Sequence, residues 1–180
     1  NAQGPVAAPT TATANMKFPG KIFLSLDQKV NPKWDFLASV YRTNWSELQG
    51  LTINNIPNMG GPTSVPVDLH YRNTNLYSVG ALYRYSPKLK LLAGVGYDMT
   101  PVENGYRDPR LPDSNRIDVG LGASYQMDSK SQLDVSFQHV FSKQVKIDDS
   151  SREPADPGTI IGDSKTNANI FAVAYSRDID

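Results

Sequence analysis

No cysteine occurs among the 180 residues, and neither sign of charge predominates, with 18 Lys and Arg against 18 Asp and Glu. The first absence removes disulfide staples, cysteine zinc sites and thiol nucleophiles together. It also fits a protein that crosses an oxidising periplasm, where stray thiols are a liability. The charge balance, with no basic cluster, argues against a nucleic-acid surface, because phosphate contacts need concentrated Lys and Arg. Long apolar runs are missing as well: nothing approaches the roughly 18–20 residues of a spanning helix, and the mean hydropathy is -0.43. No charged stretch followed by an apolar one marks a signal peptide. There is no Walker-type loop or nucleophile elbow. The two histidines, His70 and His139, stand apart without metal-ligand partners at suitable spacing. No metal, cofactor or catalytic residue is expected.

What the chain does contain is a rhythm. Segments of about ten residues alternate apolar and polar side chains with a period of two, the signature of a strand with two unlike faces. Strands are expected over about 20–30, 34–45, 75–85, 88–98, 117–127, 132–142 and 168–178. The cleanest is the fifth, where Ile117, Val119, Leu121, Ala123 and Tyr125 oppose Asp118, Gly120, Gly122, Ser124 and Gln126. The connections alternate too. Short turns at Asn31-Pro32-Lys33, Ser86-Pro87 and Asp128-Ser129-Lys130 take turns with long polar loops over 46–74, 99–115 and 143–166.

Alternation by itself fits either a transmembrane β-barrel or a soluble antiparallel sandwich or barrel acting in binding or adhesion. Three features favour the membrane. The polar faces are rich in Gly and Ser, which suits a packed lumen. Aromatic residues fall where interfacial girdles belong: Trp34, Tyr83, Tyr85 and Tyr125 beside the short turns, and Tyr41, Trp45, Tyr97 and Phe141 toward the long loops. Strands near ten residues also match a tilted membrane crossing.

Short turns on the periplasmic side place the start of the first strand outside the cell, and seven strands is odd where single-chain bacterial barrels are even. Seven strands in lipid also leave two open edges, each with several unpaired N–H and C=O groups, at a cost of roughly tens of kcal/mol. The expectation is a C-terminal part of a larger barrel, in which residues 1–16 are the remnant of an outer loop and 17–180 the barrel wall. The missing N-terminal half of the same barrel would be its partner.

Three stretches resemble the long-chain fatty-acid and aromatic-hydrocarbon outer-membrane transporters of the FadL-like family. The first runs from Lys33-Trp34-Asp35 to Thr43-Asn44-Trp45-Ser46-Glu47-Leu48. The second is Leu92-Ala93-Gly94-Val95-Gly96-Tyr97-Asp98-Met99-Thr100-Pro101-Val102, and the third Arg107-Asp108-Pro109-Arg110-Leu111-Pro112-Asp113-Ser114-Asn115-Arg116, followed by Gly120-Leu121-Gly122. The resemblance implies a barrel of about fourteen strands in the bacterial outer membrane, plugged by an N-terminal hatch. It implies passive uptake of a hydrophobic small molecule, in contact with outer-membrane lipid and lipopolysaccharide. An outer-membrane lipase-type enzyme is the other membrane reading, but no Ser, His and Asp share one rim.

Candidate lumen residues follow from the faces. Leu76, Leu82 and Ile170 interrupt the polar pattern on inward faces and are candidates to line an apolar pocket. Arg84 and Lys90, also inward, are candidates to meet a carboxylate. Their simpler role is an ion pair with a hatch carboxylate or with a wall carboxylate such as Asp98 or Asp118. Arg107 and Arg116, in the most patterned loop with Asp113, Pro109 and Pro112, are candidates for ligand entry or for holding a rigid outer loop. The acidic residues Asp148, Asp149, Asp156 and Asp163 read as a solvated loop, with a surface divalent cation as the sharper alternative.

Overall fold

A computed structural model describes residues 11–56, 63–110, 112–148 and 160–179. Among these residues there are twelve strands and one 3-10 turn at Trp45–Glu47. Seven strands form one antiparallel sheet: β2 (Lys21–Lys29), β3 (Trp34–Thr43), β6 (Thr74–Arg84), β7 (Leu89–Asp98), β8 (Arg116–Gln126), β9 (Ser131–Ser142) and β12 (Asn167–Arg177). Their spatial order is β12-β9-β8-β7-β6-β3-β2, a meander in which every strand pairs with its neighbour in the series. The boundaries fall within one or two residues of those expected from alternation. β2 and β12 each pair along one side only, so among the described residues the sheet has two free edges.

The three short turns share one device. A side-chain oxygen of the turn's first polar residue accepts the backbone N–H two positions on, fixing the reversal locally. Asn31 Oδ1 accepts from Lys33 at 2.8 Å, Ser86 Oγ from Lys88 at 3.3 Å, and Asp128 Oδ1 from Lys130 at 2.8 Å.

The long loops are more ordered than expected. The first contains β4 (Gly50–Ile56) and β5 (Thr63–Asp68), which pair with each other, and β1 (Thr13–Ala14) adds to β4. Pro66 lies inside β5, opposite Thr52. β5 is an edge strand, where a residue with no N–H is tolerated. The third loop opens with a hairpin of β10 (Val145–Asp148) and β11 (Ile161–Ser164). It prolongs the β9–β12 pair after a break: between Asn167↔Phe141 and Ser164↔Val145, one strand advances three residues and the other four. Residues 1–10, most of the expected loop remnant, lie outside the described residues.

Register puts all the apolar sides together. Val79, Val95, Val119, His139 and Asn169 lie in one continuous row across five strands, and Ala81, Ala93, Leu121, Phe137 and Phe171 in the next. This face is open to its surroundings: Val95, Val119, Val135 and Val173 are 44%, 40%, 43% and 73% exposed. A soluble sandwich would bury those four as its core. Among the described residues the buried apolar side chains are instead Leu48, Val102 and Ile147, all in the long-loop segments. A broad apolar face with so little buried beneath it is the inversion that hydrocarbon solvent demands.

Candidate functional site

The opposite face holds the chemistry. Its centre is a row of glycines on three adjacent strands, Gly80↔Gly94↔Gly120, with Gly96 and Gly122 on the diagonals. Without side chains these positions form a trough, walled by Leu37, Leu76, Leu92, Asp118 and Gln138. A Cβ at Gly80 or Gly94 would come within 3.2–3.3 Å of a neighbouring backbone oxygen, a tight fit, whereas one at Gly120 would meet nothing nearer than 3.9 Å. The depth of the trough therefore reflects absent side chains, and larger residues at Gly120 would project into it.

Above the trough, toward the long loops, lies an apolar patch. Phe23 and Tyr41 face each other with ring centroids 5.8 Å apart, and Leu76 is the next cross-strand neighbour of Tyr41. Tyr41 was expected in the outer girdle but shares its face with Ser39 and Asp35, on the trough side. Trp45 is not a girdle residue either: it sits in the 3-10 turn with its ring edge-on to Tyr71. At the short-turn end three of the four aromatics expected there, Trp34, Tyr83 and Tyr85, cluster together with Phe36: Trp34 lies against Phe36 and Tyr83, and Tyr83 against Tyr85.

Two charged belts bound the trough. At the short-turn end Arg84 binds Asp35 through both guanidinium arms, one of them at 2.8 Å. The wall partners named from the sequence were Asp98 or Asp118, but the β3–β6 register sets Asp35 beside Leu82, two residues from Arg84 on the same face. Lys90 is directly opposite Arg84 on β7, a like-charge cross-strand pair that is intrinsically unfavourable. Among the described residues no carboxylate oxygen lies within 4.0 Å of Lys90. The nearby Asp134 is held by Gln132 at 2.9 and 3.0 Å. Leu82 pairs with Leu92 on this face. Ile170 is opposite Gln138, half exposed, at the margin beside the free edge.

At the long-loop end the two motif segments lock onto each other. Asn115 donates to the Tyr97 hydroxyl at 2.7 Å and accepts from the Thr100 N–H at 2.9 Å. Thr100 donates its hydroxyl to Asp113 at 2.7 Å. Arg116 pairs with Asp98 at 2.6 Å and approaches Asp113 at 3.6 Å. Arg107 is only 3% exposed and donates to the Asp113 carbonyl at 2.9 Å, Asn104 Oδ1 at 3.2 Å and the Lys146 carbonyl at 3.1 Å. Burial lowers its pKa, and the Arg72 charge adds to that against the opposing pull of Asp113. The turn inside this loop uses Gly105 at φ 89°, a conformation that only glycine adopts without strain. Arg107 and Arg116 are therefore both engaged in holding the loop. No cluster of His, Asp or Glu fit to hold a metal occurs among the described residues. Asp149 and Asp156 of the acidic loop fall outside them.

On the outer face, a shallow apolar depression over Ala38 is walled by Leu24, Val40, Tyr77 and Val95. His139 and Asn169 also point outward there and share a 2.6 Å hydrogen bond. Histidine on this rim is thus partnered within the sheet.

A family model described as outer membrane protein transport protein (OMPP1/FadL/TodX) matches residues 3–179. The chain belongs to this family. The long-chain fatty acid transport protein of Escherichia coli O6:H1 is 24% identical over 144 residues, which are 80% of this chain and 32% of that protein. The crystal structure of a Pseudomonas aeruginosa FadL homologue superposes with a TM-score of 0.82 at 30% identity, over 93% of this chain and 37% of that one. A mutant of the TodX monoaromatic hydrocarbon channel gives 0.71 at 20% identity, over 90% and 36% respectively, a likeness of fold. The chain spans about a third of the length of the relatives it matches. The wall is thus that of an antiparallel FadL-type outer-membrane β-barrel, and its relatives carry the names of transport proteins and channels, not enzymes.

Proposed function

We propose that the chain is one part of the wall of an outer-membrane barrel through which hydrophobic compounds pass without chemical change. The observation that carries this reading is the division of the two faces: apolar side chains turned outward, and a glycine-floored trough with an apolar patch turned inward. Such a trough offers dispersion contacts to an apolar molecule along its glycine floor and leucine walls, with the polar Asp118 and Gln138 at its sides. Membership of the transport family supports the same reading. Polypeptide outside this chain, paired along the free edges of β2 and β12, would complete the barrel, because lipid offers those N–H and C=O groups no partner.

Lys90 is the inward group most suited to a substrate carboxylate, since Asp35 already occupies Arg84. Leu76, Leu82 and Ile170 line or border the path.

The test is uptake by a strain lacking the transporter and complemented with the whole protein. Gly120→Phe should block accumulation of radiolabelled fatty acid or aromatic hydrocarbon, while heat-modifiable migration shows an assembled barrel. Undiminished uptake through an assembled Gly120→Phe barrel would remove the trough from the transport path. Using both substrates separates the two chemical classes.

A further inference from the structure

A second concavity, at the long-loop end, has a different character from the trough. Its volume is about 660 Å³ and three separate segments line it: Arg72 from the link between β5 and β6, Arg107 from the loop after β7, and Lys143 and Lys146 from the end of β9 and the start of β10. Glu103 and Asp148 also contribute. The cleft thus gathers four cations against two carboxylates. It is built by backbone bonds: the Arg72 N–H donates to the Pro101 carbonyl at 3.0 Å and the Lys143 N–H to the Asn115 carbonyl at 2.9 Å. The Arg72 side chain also reaches the Thr100 carbonyl at 3.4 Å.

Arg107 is the reason this patch differs from a solvated surface. Its guanidinium is almost fully buried, yet its three hydrogen bonds all go to neutral oxygens. Among the described residues no carboxylate oxygen comes within 4.0 Å of it. Asp113 pulls on this charge only from beyond that distance; a weakly compensated buried charge is costly, and three further cations at the same cleft add repulsion. An anion in the cleft relieves both, through charge-assisted hydrogen bonds to Arg and Lys donors.

We infer that the cleft bounded by Arg72, Arg107, Lys143 and Lys146 binds an oxyanion headgroup, phosphate or carboxylate, at the outer rim of the barrel. The headgroup has two possible sources, the phosphate of an outer-leaflet lipid and the carboxylate of an arriving amphiphile. The residues lining this site are separate from those of the trough and from Lys90.

The experiment uses the whole protein extracted from outer membranes in mild detergent, as wild type and as the double variant Arg72→Gln/Lys146→Gln. Both residues are exposed, so the variant leaves the Arg107 anchor intact. In one arm, native mass spectrometry counts phosphate-bearing lipid that remains bound. In the other, delipidated protein is titrated calorimetrically with decanoate and with decanol. Lipid retained by wild type and lost from the variant establishes the site with a lipid phosphate. Decanoate affinity reduced about five-fold in the variant, with decanol unchanged, establishes it with an amphiphile carboxylate. The inference is overturned if the variant changes neither lipid retention nor decanoate affinity, or if decanol loses as much affinity as decanoate. Uptake measured on the same variant separates this outcome from failure of the trough.

Discussion

The outward turn of the apolar face makes a quantitative prediction at Leu121. This residue is the sixth of eleven in β8 and 59% exposed, between Ala93 and Phe137 in its row. Eleven residues span about 34 Å along a strand, so a tilt of roughly 40° places Leu121 near the middle of the hydrocarbon. An arginine there must bring its charge into lipid, at a cost of about 2–4 kcal/mol at the midplane. That corresponds to about 30- to 700-fold in the folding equilibrium. The control is the adjacent residue: Gly120→Arg points into the trough, where an added Cβ lies 3.9 Å from its nearest neighbour, and should change folding by no more than about 1 kcal/mol. Reversible urea titration of the whole protein in phospholipid vesicles, followed by tryptophan fluorescence, measures both. Equal costs, or a larger cost for Gly120→Arg than for Leu121→Arg, would refute the assignment of faces. A water-soluble fold would show no dependence of the Leu121→Arg cost on the presence of lipid.

Other expectations can be checked in the same system. Arg107→Ala removes three hydrogen bonds from a buried cation, so the loop over 99–115 should loosen by on the order of 3 kcal/mol, seen as faster amide exchange there with the strands unchanged. Lys90→Gln should lower uptake of a long-chain carboxylate several-fold while leaving a neutral aromatic hydrocarbon unaffected; equal losses would remove Lys90 as an anchor. Asp128 has its carboxyl pKa held below the ordinary value, first by the Lys130 N–H and then, against the cost of burial, by Ser131 and the Arg177 charge. A lowered folded pKa adds stability above the unfolded pKa of about 4 and loses it as pH falls through the folded value. Wild type should therefore lose its advantage over Asp128→Asn in acid; an advantage that persists well below the folded pKa would contradict this.

The seven wall strands and their faces were legible in the sequence because the side-chain period of a strand is two, and lipid on one side with a lumen rich in small residues on the other keeps most of the alternation despite inward residues such as Leu76 and Leu82. The short turns were legible for a local reason, since Asn31, Ser86 and Asp128 each bond a residue only two positions away. The strands inside the long loops escaped notice because they are short, carry turn-like residues such as Pro66, and pack on each other instead of against lipid. Trp45 was misplaced for the same reason, its strand ending before it at Thr43.

Which inward charges meet could not be read from the chain. Asp35 and Arg84 are 49 positions apart, and only the β3–β6 register brings them together. The glycines were visible as residues, but their alignment into one trough depends on the pairing of β6, β7 and β8. The motif segments at 97–100 and 113–116 were recognisable, whereas their mutual clamp and the burial of Arg107 against β10 required the folded loops. Sequence alone determined the strand pattern and the sidedness of each strand, because those are properties of neighbouring residues. Tertiary structure decided the partners, because register converts separation along the chain into contact across the sheet.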